Sequence, residues 1–254
     1  MKLKNKNIVG IPARMGSTRF PGKPLCKLMG KSMIYHCYKR SELSKLADEV
    51  FVATCDKEIF QEVKSFGGNV IMTKKNIKRP GLRVAEAASK LSLKKNDIVV
   101  VVQGDEPLVR PEMIDIGINT LLKNKNIYVV NLCSKIKGKD FFQSGEIKVV
   151  CDNNMNAMYM SRSPIPSNVH EEAKTDFYKQ VCIMPFRWHF MNFFNFKMKP
   201  TNLELQESIE MLRIIQSGYK VRMVLTDYIN KSVDSEEDRI AAEKMLRKDD
   251  IKGY

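Results

Sequence analysis

The most apolar run in the chain is Ile98-Val-Val-Val-Val102, bounded by Asp97 and Gln103. A strand without polar alternation has to be covered on both faces, the condition of a sheet sandwiched between layers of helices. This run is expected at the centre of such a sheet. Ile8–Ile11, Val50–Thr54 and Asn69–Met72 are further apolar strands. Between them, Met33, Ile34, Cys37, Tyr38 and Leu43 give residues 31–45 a helical period, and a short helix over 58–66 stops at Gly67-Gly68. Another helix is expected over 82–93. Strand, helix, strand, helix, strand is the rhythm of a parallel sheet in an α/β fold. At 254 residues and 43% hydrophobic content, the natural reading is a single domain of generous size, 1–254.

From about residue 124 to 200 the rhythm changes. Shorter strands are expected at Val129–Cys133, Ile147–Cys151, Met155–Met160 and Gln180–Pro185, with Ser163-Pro-Ile-Pro-Ser167 as a rigid extended linker. This predicts a smaller subdomain packed against the sheet. Phe186, Trp188, Phe190, Phe193, Phe194 and Phe196 read as core or as a contact with a second copy, because few cations interleave among them. Glu204, Glu207, Glu210 and Arg213 recur every third residue, with Leu203, Leu205, Ile209, Leu212 and Ile215 on the apolar side, which predicts one helix. A strand over 221–225 and a helix over 236–247 capped by Ser235 complete the chain.

The loop after the first strand holds Pro12, Ala13, Arg14, Gly16, Ser17, Thr18, Arg19, Gly22 and Lys23. In a parallel sheet it falls at the carboxyl edge, where ligands bind. Glycines let backbone approach a ligand and fixed cations meet phosphate oxygens, so the loop suits a nucleoside triphosphate. It is not a Walker loop: five residues separate Gly16 from Gly22, and Pro24 follows Lys23. Asp105, in Gly104-Asp-Glu-Pro107, sits where a strand meets its loop; it suits a metal on a triphosphate or equally a simple turn.

The formal charge is +14, and residues 1–45 carry eleven Lys or Arg against the single acid Glu42. Small polyanions or nucleic acid would both answer such a charge. The six cysteines show no metal spacing and read as reduced thiols of a cytoplasmic protein. No run approaches a membrane span or a signal peptide.

Ile11-Pro-Ala-Arg-Met-Gly-Ser-Thr-Arg-Phe-Pro-Gly-Lys-Pro-Leu25 and Gln103–Pro107 together resemble the motifs of 3-deoxy-manno-octulosonate (Kdo) cytidylyltransferases. Tyr159–Pro166, the acidic helix and Val233–Asp238 resemble further motifs of that family. The resemblance implies a Rossmann-like, mostly parallel sheet flanked by helices, of the nucleotide-diphospho-sugar transferase type, with an inserted α+β subdomain. It implies transfer of CMP from CTP to the anomeric hydroxyl of a 2-keto-3-deoxy acid sugar, and a homodimer. Arg14, Lys23 and Asp105 would be catalytic. Pro12, Ala13, Gly16, Ser17, Arg83 and Gln103 would join Arg14 and Lys23 around the nucleotide. Arg162, Gln180, Glu207 and Glu210 would meet the sugar, and Asp105 with Asp234 would bind Mg²⁺.

Two stretches depart from the family. Arg79-Pro-Gly-Leu-Arg83 stands where Ser-Gly-Thr-Asp-Arg is usual, and Gln180 stands where a His is usual. Both bear on the acid sugar more than on the transfer, and they favour a related acid, such as an amino-Kdo or a nonulosonate, over Kdo itself. A rival of another class is a catalytically inactive, basic nucleic-acid-binding protein on the same fold. Retention of Asp105 and Asp234 argues against it, since a binder needs neither.

Overall fold

The computed structural model describes residues 5–17, 20–167, 176–228 and 231–254. The first part of the chain forms β1 (Asn7–Ala13), β2 (Lys27–Leu28), β3 (Lys31–Ser32), α1 (Met33–Glu42), β4 (Glu49–Thr54), α2 (Lys57–Ser65) and β5 (Val70–Met72). Next come α3 (Pro80–Ala88), β6 (Ile98–Val102), α4 (Pro111–Lys123), β7 (Val130–Lys135), β8 (Lys148–Cys151) and β9 (Ala157–Ser161). The last part holds β10 (Tyr178–Val181), β11 (Ile183–Arg187), α5 (Trp188–Phe196), α6 (Asn202–Glu207), α7 (Met211–Gln216), β12 (Arg222–Leu225) and α8 (Glu236–Lys248).

Five strands form the main sheet in the order β11-β6-β1-β4-β5. β1 is parallel to β4 and β6, and β4 to β5; β11 closes the edge antiparallel to β6. The valine run of β6 is therefore interior, but β1 holds the centre. Apolarity reports what covers the two faces of a strand, not how many neighbours lie beside it. Ile98, Val100 and Val102 enter a core with α1, α4 and α8, while Val99 and Val101 enter a second core with α3 and α5. Side chains alternating across a strand explain the split. Each valine so buried stabilises the fold by roughly 1.5–3 kcal/mol.

A second sheet runs β12-β7-β10-β8-β9, antiparallel except where β12 meets β7. The segment expected as one strand over Gln180–Pro185 is two. Val181 pairs with Leu132 in the second sheet, while Ile183 pairs with Val102 in the main one, so the chain changes sheets at Cys182. Alternation alone does not say which sheet accepts a residue.

Two helices also differ from expectation. α3 starts at Pro80, because proline's fixed φ suits a first helical position and holds the preceding Arg79 extended, at ψ 131°. The acidic segment is not one helix: Ser208 adopts left-handed φ 55° and ends α6, and α7 starts afresh at Met211. Leu205, placed on the apolar side, is exposed as a result, whereas Ile209 and Leu212 are buried. Of the six clustered aromatics, Phe186, Phe190 and Phe194 are core, while Phe193 and Phe196 are exposed. Among the described residues no helix is long and apolar enough to cross a membrane.

Candidate active site

A cleft of about 630 Å³ opens at the carboxyl ends of β1 and β6. Its floor is the loop after β1 and the turn after β6; its far wall comes from the second sheet, the 204–211 segment and the start of α3. Pro12, Ala13, Arg14, Gly16, Ser17, Lys23, Arg83, Gln103, Asp105, Arg162, Gln180 and Glu210, all singled out from the sequence, line this one cleft.

At one end, three loops converge on an ammonium. Gly104 brings the turn after β6 against β1: a Cβ there would lie 2.6 Å from the Pro12 carbonyl oxygen. The Val233 N–H donates to the Asp105 carbonyl at 3.0 Å, which sets Asp234 beside Asp105. Gly22, at φ 71°, turns the chain into a 3-10 turn over Lys23–Leu25. Lys23 Nζ then donates to Asp105 Oδ2 at 2.6 Å and to Asp234 Oδ1 at 2.8 Å. Burial on its own would lower the Lys23 pKa, but the two carboxylates outweigh it and hold it above the usual lysine value. Arg14 is exposed on the same loop, which Asp56 steadies by accepting from the Met15 N–H at 2.8 Å. Ser17 Oγ accepts from the Phe20 N–H. Thr18 and Arg19 of this loop lie outside the described residues.

Two hard-oxygen ligands already meeting at one cation fit Mg²⁺, which commonly uses one or two carboxylates and completes its shell with water and phosphate. Among the described residues no group of three or more His, Cys, Asp or Glu is set to hold a metal by itself.

The other end is built from backbone-held cations. Arg162 Nε donates to the Glu207 carbonyl at 2.9 Å and Nη1 to the Ser144 carbonyl at 3.1 Å. Glu207 stands behind Arg162 rather than on the cleft wall: it accepts from Ser161 Oγ at 2.6 Å, Tyr159 Oη at 3.2 Å and the Arg162 N–H at 3.0 Å. Burial would raise its pKa, yet these donors and the Arg162 charge bring it below the usual glutamate value. Glu210 does face the cleft. Its Oε2 accepts from the Gly81 N–H at 3.2 Å, its Oε1 is buried without a hydrogen bond among the described residues, and burial raises its pKa. Gln180 lines the wall and donates to Asn131 Oδ1 at 2.5 Å. Gln103 is tied by its N–H to the Cys182 carbonyl, at the point where the chain changes sheets.

Arg83, expected at the nucleotide, also braces the wall. Its guanidinium donates to Thr73 Oγ1 and the Ile77 carbonyl at 2.5 Å each, which fixes the 73–77 loop. Arg79 pairs along the wall with Glu204 at 2.9 Å, and Glu204 is 2% exposed and also takes both prongs of Arg213 at 2.8 Å. Sequence reasoning flagged Arg79 as a departure but read Glu204 only as part of a helix face. Cys182, Met184 and Ser208 line the cleft too, and no spacing or motif pointed to them.

A family model described as cytidylyltransferase matches residues 8–225. A 3-deoxy-manno-octulosonate cytidylyltransferase of Thermodesulfovibrio yellowstonii is 44% identical over 248 residues, 93% of this chain and 96% of that one. The mitochondrial 3-deoxy-manno-octulosonate cytidylyltransferase of Arabidopsis thaliana is 34% identical over 97% of this chain and 85% of its own. Among solved structures, a CMP:2-keto-3-deoxy-manno-octonic acid synthetase complexed with CTP superposes with a TM-score of 0.89 at 31% identity, covering 96% of this chain and 99% of that one.

Proposed function

The chain belongs to the cytidylyltransferase family, and we propose that it transfers CMP from CTP to the anomeric hydroxyl of 3-deoxy-manno-octulosonate, releasing pyrophosphate. The observation that carries this reading is the pairing within one cleft of Lys23 between Asp105 and Asp234 at one end and a rigidly held Arg162 at the other. The first suits a triphosphate and the second the carboxylate of an acid sugar. The relatives named for this reaction match almost the whole chain.

In the reaction the anomeric oxygen attacks the α-phosphorus, a P–O bond forms, and the bond to the pyrophosphate oxygen breaks. Such a displacement asks the protein chiefly for alignment and charge neutralisation. Arg14 and Lys23 take the β- and γ-phosphates; Lys23 does so by giving up its bonds to the carboxylates. Asp105 and Asp234 would hold Mg²⁺, which would offset charge on the α-phosphate and assist ionisation of the attacking hydroxyl. Gln103 and the wall braced by Arg83 border the nucleoside. Arg162 fixes the acid sugar by its carboxylate, and Glu210 Oε1 accepts from a sugar hydroxyl. The homodimer and a cytoplasmic setting belong to the same proposal and rest on the family resemblance.

The test is pyrophosphate release, with each of the four nucleoside triphosphates against Kdo, an amino-Kdo and a nonulosonate. CTP with Kdo should turn over fastest, against the preference for a related acid read from Arg79 and Gln180, because the relatives named for Kdo match almost the whole chain. A higher specificity constant for another acid would transfer the assignment to it and give Gln180 and Arg79 a role in selection. No release with any acid would sink the reading.

A further inference from the structure

Lys148, at the first position of β8, is 0% exposed. Its Nζ donates to three main-chain carbonyls: Gln143 at 2.9 Å, Glu146 at 2.7 Å and Arg162 at 2.5 Å. A protonated lysine has three N–H donors and no acceptor, so three carbonyls match the ammonium and a neutral amine would leave one unmet. Burial draws its pKa below the usual lysine value, and the nearby Arg162 charge pushes the same way; Glu146 and Glu207 oppose. Lys148 is sealed from solvent behind the wall, so of these two cations Arg162 is the one that lines the cleft.

The carbonyls Lys148 gathers lie on the loop and strand end that also position Arg162. The 143–146 loop contains Ser144, whose carbonyl takes Arg162 Nη1, and the third bond goes to Arg162 itself. With Nε on the Glu207 carbonyl, the guanidinium has two of its edges fixed by backbone. Among the described residues no hydrogen bond engages Nη2, on a side chain that lines the cleft. We propose that Lys148 is a positioning residue for the acid sugar: a buried ammonium that locks the loop and strand end holding Arg162, and thereby presents the guanidinium to the substrate carboxylate. This rests on the function proposed above. Preorganisation of this kind shows as binding energy, because an untethered arginine must be ordered when the substrate arrives.

Steady-state kinetics of the full chain with CTP and Kdo, with folding followed by circular dichroism, test it. Lys148→Met should raise KM for the acid sugar about tenfold or more while KM for CTP stays within about twofold. In an Arg162→Ala background the same substitution should shift the sugar KM less than about twofold, because the residue it acts through is gone. An unshifted sugar KM, an equal rise in both KM values, or a full penalty that persists without Arg162 would overturn the proposal. Should Lys148→Met fail to fold, Lys148→Gln retains two N–H donors and should raise the sugar KM a few-fold, about threefold by the same reasoning. Failure of both to fold would make Lys148 a residue of the fold alone and would also overturn it. A native chain that releases no pyrophosphate from CTP with any acid sugar is a separate result, which removes the functional reading beneath.

Discussion

At one end of the cleft the cation Lys23 is held by two partly exposed carboxylates, 27% and 33%, whereas at the other end Arg162, with Lys148 behind it, is held by main-chain carbonyls. Carboxylates on loops can release one cation and accept another. Carbonyls inside a folded segment cannot migrate, and a buried charge that they hold costs several kcal/mol if it loses them. The difference matches the tasks. In the proposed reaction CTP and Mg²⁺ would displace the Lys23 contacts, and the β- and γ-phosphates would then leave as pyrophosphate while the α-phosphate stays on the sugar. The acid sugar brings one carboxylate to be met in one orientation, so a fixed cation serves better than a mobile one.

The largest effect that sharpens this contrast is expected from Glu204. Glu204→Gln removes the charge shared by Arg213 and Arg79 and leaves Arg213, 2% exposed, without its anion. Stability to urea should fall by about 3–5 kcal/mol. A loss below about 1 kcal/mol would mean that charge does not hold the sugar wall in place.

Next come Asp105→Asn and Asp234→Asn. Each should cut turnover about 100- to 1,000-fold at saturating Mg²⁺, the scale of losing one electrostatic contact to a transition state. Stability should move by less than about 1 kcal/mol, since both side chains are partly exposed. Near-normal turnover in either variant would break the metal assignment.

Lys23→Ala should raise KM for CTP about 10- to 100-fold, the worth of a hydrogen bond from a charged donor. KM for the sugar should hardly change, and melting should shift little. A collapse in melting with unchanged CTP affinity would mean the loop is structural, and the contrast between mobile and fixed cations would go with it.

The smallest effect is read in pH. Glu207 has a folded-state pKa below its ordinary 4.5, so its contribution is present above that value and is lost as pH falls through the lowered one. Glu210 is raised by burial, so its contribution is complete below 4.5 and is lost as pH rises through the raised value. Urea midpoints should therefore fall as pH drops below about 4.5 through loss of the Glu207 contribution, and fall as pH rises above about 4.5 through loss of the Glu210 contribution. Glu207→Gln should lower stability near neutrality and remove acid sensitivity, while Glu210→Gln should raise it. A shared sign would show that the two glutamates occupy like environments after all.

What could be read in the sequence was whatever leaves a local pattern. The β1 and β6 runs announced a sheet covered on both faces, and the basic glycine loop announced an anion. The Asp105 partnership with Asp234 came only from resemblance to a known family, because a long stretch of chain separates them and the Val233 bond that unites them is main-chain. Lys148 left no trace: its acceptors are carbonyls, which every residue possesses. The break at Ser208 was equally silent, since a left-handed serine carries no glycine to mark it. Arg83 and Glu207 were found, but their bracing of a loop and of an arginine was not, since it runs through main-chain groups. The eye drawn to charged side chains overlooks charge that serves backbone.

Gly104 has a consequence for how this sequence can drift. Every single-base change that alters a glycine codon without stopping the chain installs at least one carbon on Cα, and here that carbon would arrive 2.6 Å from the Pro12 carbonyl oxygen. Even alanine would wedge the loop that carries Asp105 away from the strand that leads into Arg14. The position is thus closed to mutation one step at a time, although it bears no reactive group. Heredity at this site is enforced by the width of a methyl.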